Sequence, residues 1–308
     1  MARKKVDEAS ISRMMAAGLG VGHHSGYTPW LRVKRGDFSS SGVSAIVPDP
    51  EISGRAHHTL SRGELALCLE LLFSKPFDLR EQFPLLRFPG KHPLLDCGRR
   101  LTDAAALMLP LNPGTVAIAA DCGIRSPRYA GSSTQFVMTT DFLVTRLDDR
   151  GRPALSAYSF KPTRRLEYGD RVIELLELER CYWKALGVEW RLRTEQDLHP
   201  AILANLGWCW RYAATVEPWA KHPERLRAPF IDAIVAADWR QPLRNVLAWI
   251  ARRLRWDYGL AVAMFRHCVW RRDIAIDLRT RINLPHPVGD TPVVMVPPAV
   301  PVAQRRRG

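Results

Sequence analysis

Asp141 and Lys161 lie near the two ends of a segment, residues 136–162 (FVMTTDFLVTRLDDRGRPALSAYSFKP), whose pattern predicts a β-hairpin. Residues 136–144 and 154–160 are rich in β-branched, aromatic and small side chains, and the intervening DDRGRP is turn chemistry. A turn centred near Gly151 pairs residues whose numbers add to about 302, which sets Asp141 opposite Lys161 with Cβ atoms about 5 Å apart. Such a pair is either an ordinary cross-strand ion pair or the two sides of a site with room for a metal and a phosphate. An unusual loop shifts the pairing by one residue.

Two further carboxylates sit on predicted helices. Ser61-Arg62-Gly63-Glu64 precedes the apolar run LALCLELLF with capping-box spacing, so the serine caps the helix and Glu64 reaches back to it. The functional alternative makes Glu64 a metal ligand on the first turn of a buried helix. Residues 170–186 (DRVIELLELERCYWKAL) predict a helix closed by Gly187, and at 100° per residue Val172, Leu175, Leu176, Tyr182, Trp183 and Leu186 share one stripe with Glu179 in its middle. A charge on a packing face costs free energy unless it is paired or bound to a cation. Glu179 therefore either joins a metal site or pairs with an arginine and serves only the fold, while Glu174 and Glu177 belong to a solvated face. A helix acid, a strand acid and a following strand lysine form the E…D…xxK pattern of metal-dependent phosphodiester hydrolysis.

The elements around these residues read as an α/β unit. A short helix over 7–17 stops at Gly18. The glycines that follow, up to Gly26, lack the Lys-Ser/Thr and the preceding strand of a phosphate loop and read as a flexible connection. Residues 36–54 form an irregular, partly extended lead-in, and the core begins after them. Residues 78–85 (DLREQFPL) predict a strand that joins the hairpin sheet and ends at Pro84. Residues 87–114 read as an insertion, 115–122 as one or two helical turns closed by Gly123, and 188–193 (VEWRLR) as another strand. The first domain closes near residue 198. From 199 the pattern is helical, over 200–215, 223–237, 242–255 and 257–270, followed by a short extended piece at 273–282. With Arg266, Arg271, Arg272, Arg279 and Arg281 this suits either a winged-helix-like module over 199–284 or a helical bundle that contacts protein. Residues 285–308 are proline-rich, end in Arg305-Arg306-Arg307-Gly308 and read as a flexible basic tail.

Of the 308 residues, 46% are hydrophobic and 25% charged, which excludes disorder as the default. The net charge is +14, of which residues 201–308 carry +9, so a polyanion such as nucleic acid is the natural partner. No apolar run of membrane-spanning length and no secretory signal is present, which predicts a cytoplasmic protein without membrane association. Six cysteines (Cys68, Cys97, Cys122, Cys181, Cys209, Cys268) lack zinc spacing and read as reduced core thiols.

Six stretches taken together, GHHSGYTPWLRV at 22–33, LSRGELAL at 60–67, DLREQFPLL at 78–86, VMTTDFLV at 137–144, FKP at 160–162 and LLELERCYW at 175–183, resemble the TnsA endonuclease family of heteromeric transposons. The resemblance covers residues 10–200 in order and extends more loosely to MFRHCVWRRDIAIDL in the C-terminal third. It implies a restriction-endonuclease-like core, a mixed sheet flanked by helices, followed by a winged-helix C-terminal domain. It also implies nicking of the 5′ strands at the double-stranded DNA of transposon ends, beside a DDE transposase subunit (TnsB-like) and an AAA+ ATPase (TnsC-like). The family's catalytic residues fall on Glu64, Asp141 and Lys161, and a further family glutamate falls on Glu179. The expected cofactor is Mg²⁺, with Mn²⁺ able to substitute, held by Glu64 and Asp141. One departure is Ser159, two residues before the lysine, where related nucleases place Glu, Asp or Gln. A hydroxyl is a poorer ligand than a carboxylate for a hard cation, so Glu179 or the carbonyl of Phe160 is expected to replace it. The same serine leaves open a catalytically weak subunit that binds DNA ends and the ATPase. A basic winged-helix regulator with a structural N-terminal domain is a third reading, which the triad opposes.

Overall fold

The computed structural model describes residues 6–33, 44–95, 101–167, 169–288 and 294–295. The chain divides into two compact units, Met1–Asp197 and Leu198–Gly308.

In the first unit, α1 (Glu8–Ala16) is capped by Asp7, whose carboxylate accepts from the Ser10 N–H. The lead-in contains a hairpin, β1 (Ala45–Asp49) and β2 (Arg55–Thr59), pairing Val47 with His57. This corrects the expectation of an irregular segment ahead of the core, because Val47 is fully buried. Helix α2 (Arg62–Phe73) follows, then β3 (Asp78–Pro84), α3 (Asp103–Leu107) and α4 (Thr115–Asp121). The central hairpin is β4 (Thr139–Leu147) and β5 (Pro153–Phe160). A crossover through α5 (Thr163–Glu167) and α6 (Asp170–Ala185) returns the chain as β6 (Glu189–Arg193), parallel to β5. A parallel neighbour requires a connection of this kind. The sheet order is β3-β4-β5-β6, with β3 antiparallel to β4 and β4 to β5.

The sheet packs on both faces. Leu143, Ala157 and Leu155 meet Leu178, Tyr182, Trp183 and Leu186 of the α6 segment, and Phe83 packs at 6.0 Å from Trp183. Each such large side chain stabilises the fold by about 1.5–3 kcal/mol relative to exposure. Leu178 is buried although it falls outside the predicted stripe, whereas Val172 is only half-buried.

The glycine-bearing stretch before β3 is docked rather than a flexible connection. His23 Nδ1 pairs with Asp78 at 2.8 Å, the Tyr27 hydroxyl donates to the Glu81 carbonyl, and the Trp30 N–H donates to that of Gln82. Gly20 lies against Pro84, where a Cβ would come within 2.1 Å of the ring. Beneath this stretch Glu81 is fully buried, bound twice by Arg55 (2.7 and 2.8 Å) and once by His57 Nδ1 (2.8 Å), while His57 Nε2 meets Asp49.

The second unit contains α7 (Pro200–Trp210), α8 (Glu224–Val235), α9 (Leu243–Leu254), α10 (Tyr258–Trp270) and a two-residue ladder of β7 (Ile274–Ala275) with β8 (Val294–Met295). Helix α7 ends five residues before the expected 215, where the Tyr212 and Ala213 N–H groups turn back onto Cys209 and Trp210. The expected extended piece at 273–282 shrinks to Ile274–Ala275. Arg266 does not serve a basic surface. It is held between the rings of Trp208 and Tyr212 and donates to the Trp208 carbonyl. Among the cysteines, Cys68, Cys209 and Cys268 are buried free thiols, but Cys122 is exposed and Cys181 half-buried, so these two are not core thiols. Cys97 and most of the expected basic tail lie outside the described residues. Among the described residues, no helix is long and apolar enough to cross a membrane.

The buried network predicts a bounded pH window of stability. Burial opposes the charge of His57, but hydrogen bonds to Asp49 and Glu81 prevail and raise its pKa above 6.5. Burial also opposes the charge of Glu81, yet His57 and Arg55 bring it down to about 2. The His57 contribution is complete below pH 6.5 and lost as pH rises through its folded pKa. The Glu81 contribution is complete above 4.5 and lost as pH falls towards 2. Glu81→Gln, which removes the buried carboxylate shared by Arg55 and His57, is expected to cost about 3–5 kcal/mol in denaturant titrations near pH 6. A cost under about 1 kcal/mol would contradict this account.

Candidate active site

The hairpin register differs from the expected one. Phe142 pairs with Tyr158, Leu143 with Ala157 and Val144 with Ser156, so the numbers add to 300 rather than 302. The turn is tighter than the sequence suggested: Asp148 accepts from the N–H groups of both Arg150 and Arg152, and Gly151 takes φ 73°. Lys161 therefore lies one residue past the end of β5 and is not directly opposite Asp141. The two still meet, because a lysine is long enough to reach back along the strand: Nζ is 3.3 Å from Asp141 Oδ2 and donates to the Phe160 carbonyl at 2.9 Å.

Asp141 is fixed mainly through its other contacts. The Phe160 N–H donates to Oδ2 at 2.7 Å, tying β4 to the end of β5. Glu64 arrives from the first turn of α2, where the geometry shows its expected capping role. Ser61 Oγ accepts from the Glu64 N–H, while the Glu64 carboxylate accepts from Ser61 Oγ and the Leu60 N–H. Gly63 makes this approach possible, since a Cβ there would lie 1.8 Å from the Phe160 ring. Helix and strand meet at van der Waals contact.

Between the two acids stands Gln82, a residue that the sequence pattern did not single out. Its amide nitrogen is 3.2 Å from Glu64 Oε2 and 3.5 Å from Asp141 Oδ1, and its amide oxygen accepts from Thr139 Oγ1. Nothing in the DLREQFPLL stretch marks it, because Asp78, Arg80 and Glu81 of the same strand are polar and buried as well.

Glu179 is buried, as the helical wheel suggested, but among the described residues no arginine compensates it. Ser159 Oγ and Thr140 Oγ1 both donate to its Oε1 at 2.6 Å, and Thr140 in turn accepts from the Trp183 ring N–H. Ser159, which departs from the family pattern, thus supports the glutamate on α6. Thr140 was not anticipated, because nothing in a TTD sequence distinguishes the hydroxyl that will face a helix.

The electrostatics are those of a site short of positive charge. Burial, then the charge of Asp141, pushes Glu64 up to about 7. Burial also raises Glu179, against the hydrogen bonds from Ser159 and Thr140. Burial tends to lower Lys161, but Asp141, Glu179 and Glu64 outweigh it, so the ammonium stays protonated. Glu64 and Asp141 with the Phe160 carbonyl are hard oxygen donors of the kind that Mg²⁺ accepts, usually with water completing the shell. Their mutual repulsion is what a cation would relieve. Among the described residues, no group of three His, Cys, Asp or Glu side chains is arranged to hold a metal, so Glu179 does not complete a three-carboxylate cluster in this geometry.

A mixed sheet between helices, carrying two approaching acids and a lysine, defines a restriction-endonuclease-like α/β protein. Residues 108–195, which include Asp141, Lys161 and Glu179, match the model of the TnsA-like endonuclease N-terminal domain. The chain is 35% identical over 208 residues to the transposon Tn7 transposition protein TnsA of Escherichia coli, a match covering 67% of this chain and 64% of that protein. Over these residues the chain is similar to the TnsA family, and it spans just under two thirds of the length of that relative.

The raised pKa of Glu64 gives a stability test. Its proton stabilises the fold fully below 4.5, and that contribution is lost as pH rises through about 7. In chelator, Glu64→Gln should remove this part of the pH dependence, so the variant gains in melting temperature on the wild type between pH 4.5 and 8. A constant difference between the two proteins across that window would show that Glu64 does not hold a proton in the folded state.

Proposed function

We propose that the chain is a metal-dependent DNA endonuclease subunit of a heteromeric transposase that hydrolyses the 5′ strands at transposon ends. The observation that carries this reading is the approach of Glu64, Asp141 and Lys161 at one end of the sheet in a chain similar to the TnsA family. The proposed partners are the DNA ends, a TnsB-like DDE transposase and a TnsC-like AAA+ ATPase, acting in the cytoplasm. The proposed domains are an endonuclease domain over 1–198, a winged-helix-like module over 199–284 and a basic tail.

Glu64 and Asp141 would hold the divalent cation, with the Phe160 carbonyl and Glu179 as further donors. Mg²⁺ bound there supplies an acidified water and neutralises charge that develops on the phosphate. The chain's own groups account for the rest. The Phe160 N–H and Gln82 fix the Asp141 carboxylate, and the Ser61 cap fixes that of Glu64. Lys161, kept protonated by three carboxylates, serves as a cation that stabilises charge on the phosphate and orients the nucleophile. A general-base role would require a fall of several units in its pKa, opposite to the direction imposed here. For Glu179 to donate to a cation, Ser159 and Thr140 must share or release its carboxylate.

Asp141→Ala is expected to stay folded and to reduce nicking of transposon-end DNA in Mg²⁺ by at least 10³-fold, consistent with the loss of a charge that acts in the transition state. Undiminished nicking by folded variant would exclude Asp141 from the chemistry. Glu179→Gln should shift the cation titration of nicking if Glu179 is a donor, and only the melting temperature if its role is confined to the fold. For the C-terminal unit, replacing exposed Arg252, Arg253, Arg279 and Arg281 with glutamine should flatten the salt dependence of DNA binding, by about 0.9 in log–log slope for each phosphate that the variant no longer neutralises. An unchanged slope would place the DNA-binding surface elsewhere.

A further inference from the structure

Gln82 occupies an unusual position. It sits inside β3 with φ 47°, a left-handed conformation that is uncommon outside glycine and costs of order 1–3 kcal/mol. Glu81 pairs with Phe142 and Phe83 with Thr140, but the regular ladder skips the step between them, where Gln82 faces Asp141. Such a conformation persists only where the surroundings fix it. Here the Gln82 carbonyl accepts from the Trp30 N–H, its amide oxygen accepts from Thr139, and the neighbouring Glu81 is locked by Arg55 and His57. The result of this distortion is a buried carboxamide whose nitrogen points between Glu64 Oε2 and Asp141 Oδ1.

We infer that Gln82 is a positioning residue for the cation site: its amide N–H groups hold the Glu64 and Asp141 carboxylates at a fixed spacing in the absence of a cation, so that the site is assembled before the ion arrives. This rests on the reading of Glu64 and Asp141 as ligands. The contacts of 3.2 and 3.5 Å are longer than the optimum near 2.9 Å, so the amide supports the carboxylates without saturating them. Two buried acids without such a donor would repel each other and turn apart, and the ion would then have to reorganise them at a cost in affinity. Removing a supporting hydrogen bond of this kind typically lowers metal affinity 10–100-fold.

The test uses the full-length chain and Mn²⁺ as probe, with two readouts: the rise in melting temperature as Mn²⁺ is added, and the Mn²⁺ concentration for half-maximal nicking. Gln82→Met keeps the side chain's length and removes both amide contacts. It should raise both midpoints at least tenfold while maximal nicking at saturating Mn²⁺ stays within a few fold of wild type. Gln82→Glu places a third negative charge between the acids, and should lower the melting temperature in chelator and enlarge its rise with Mn²⁺. Asp141→Ala sets the baseline. If Mn²⁺ stabilises the wild type but not Asp141→Ala, and Gln82→Met responds like the wild type, the inference falls and the ligand reading stands. If wild type and Asp141→Ala respond alike, both fall. Should Gln82→Met not fold, Gln82→Glu decides, and an Mn²⁺-dependent rise no larger than that of the wild type overturns the inference.

Discussion

The constraint that organises the first unit is the burial of carboxylates. Asp78, Glu81, Glu64, Asp141 and Glu179 all lie inside, where an uncompensated charge costs several kcal/mol. They divide into two groups by what answers that cost. Asp78 meets the His23 ring and the Arg80 guanidinium, Glu81 meets Arg55 and His57, and these contacts fasten the N-terminal segment and the β1–β2 hairpin to β3. Glu64, Asp141 and Glu179 share one lysine and are otherwise met by neutral donors: the Gln82 amide, the Phe160 N–H and the hydroxyls of Ser61, Ser159 and Thr140. The first group is electrically complete. The second retains a deficit of positive charge, and this difference is what the proposed cation would answer.

Strand β3 is where the two groups meet. Glu81 belongs to the first and Gln82 to the second, on consecutive residues, so the rigid network on one side of the strand sets the position of the amide on the other. The stretch around His23, Tyr27 and Trp30, which has the look of a loop in the sequence, is part of this arrangement, because it covers the outer edge of β3 and binds its carbonyls.

Much of this was legible from residue patterns, and the failures have physical causes. The boundaries of α2, β3 and α6 follow from a cap, a proline and a glycine, all local signals. Glu179 was visible because a charge on an apolar stripe contradicts the period around it. The hairpin register was off by two in its sum because the Asp148 side chain closes the turn, and that capture depends on a rotamer, not on a residue type. The same parity nonetheless kept Asp141 and Lys161 within reach of each other. The β1–β2 hairpin was missed because its strands, AIVPD and RAHHT, bury Asp49 and His57 beside Val47, so no apolar alternation marks them, and His57 finds a partner, Glu81, on β3. Thr140 and Gln82 were missed for a related reason: their roles are set by tertiary neighbours. Arg266, which in the sequence groups with the arginines of a winged-helix-like module, is absorbed in the interior by two aromatic rings and a carbonyl.

The outer edge of β6 has a different consequence. The sheet ends there, and a terminal strand presents unpaired backbone groups to any extended chain that approaches. In β6, Glu189, Arg191 and Arg193 share one face of the strand, with Arg191 bound to Glu189 and the half-buried Arg193 to Glu70 of α2. An incoming strand would have to displace ion pairs and bury guanidinium groups to gain its ladder of hydrogen bonds. The opposite edge is covered by the protein's own N-terminal segment. With one border covered and the other charged, the sheet formed by the described residues offers a poor template to an approaching extended chain, which disfavours association of copies strand by strand.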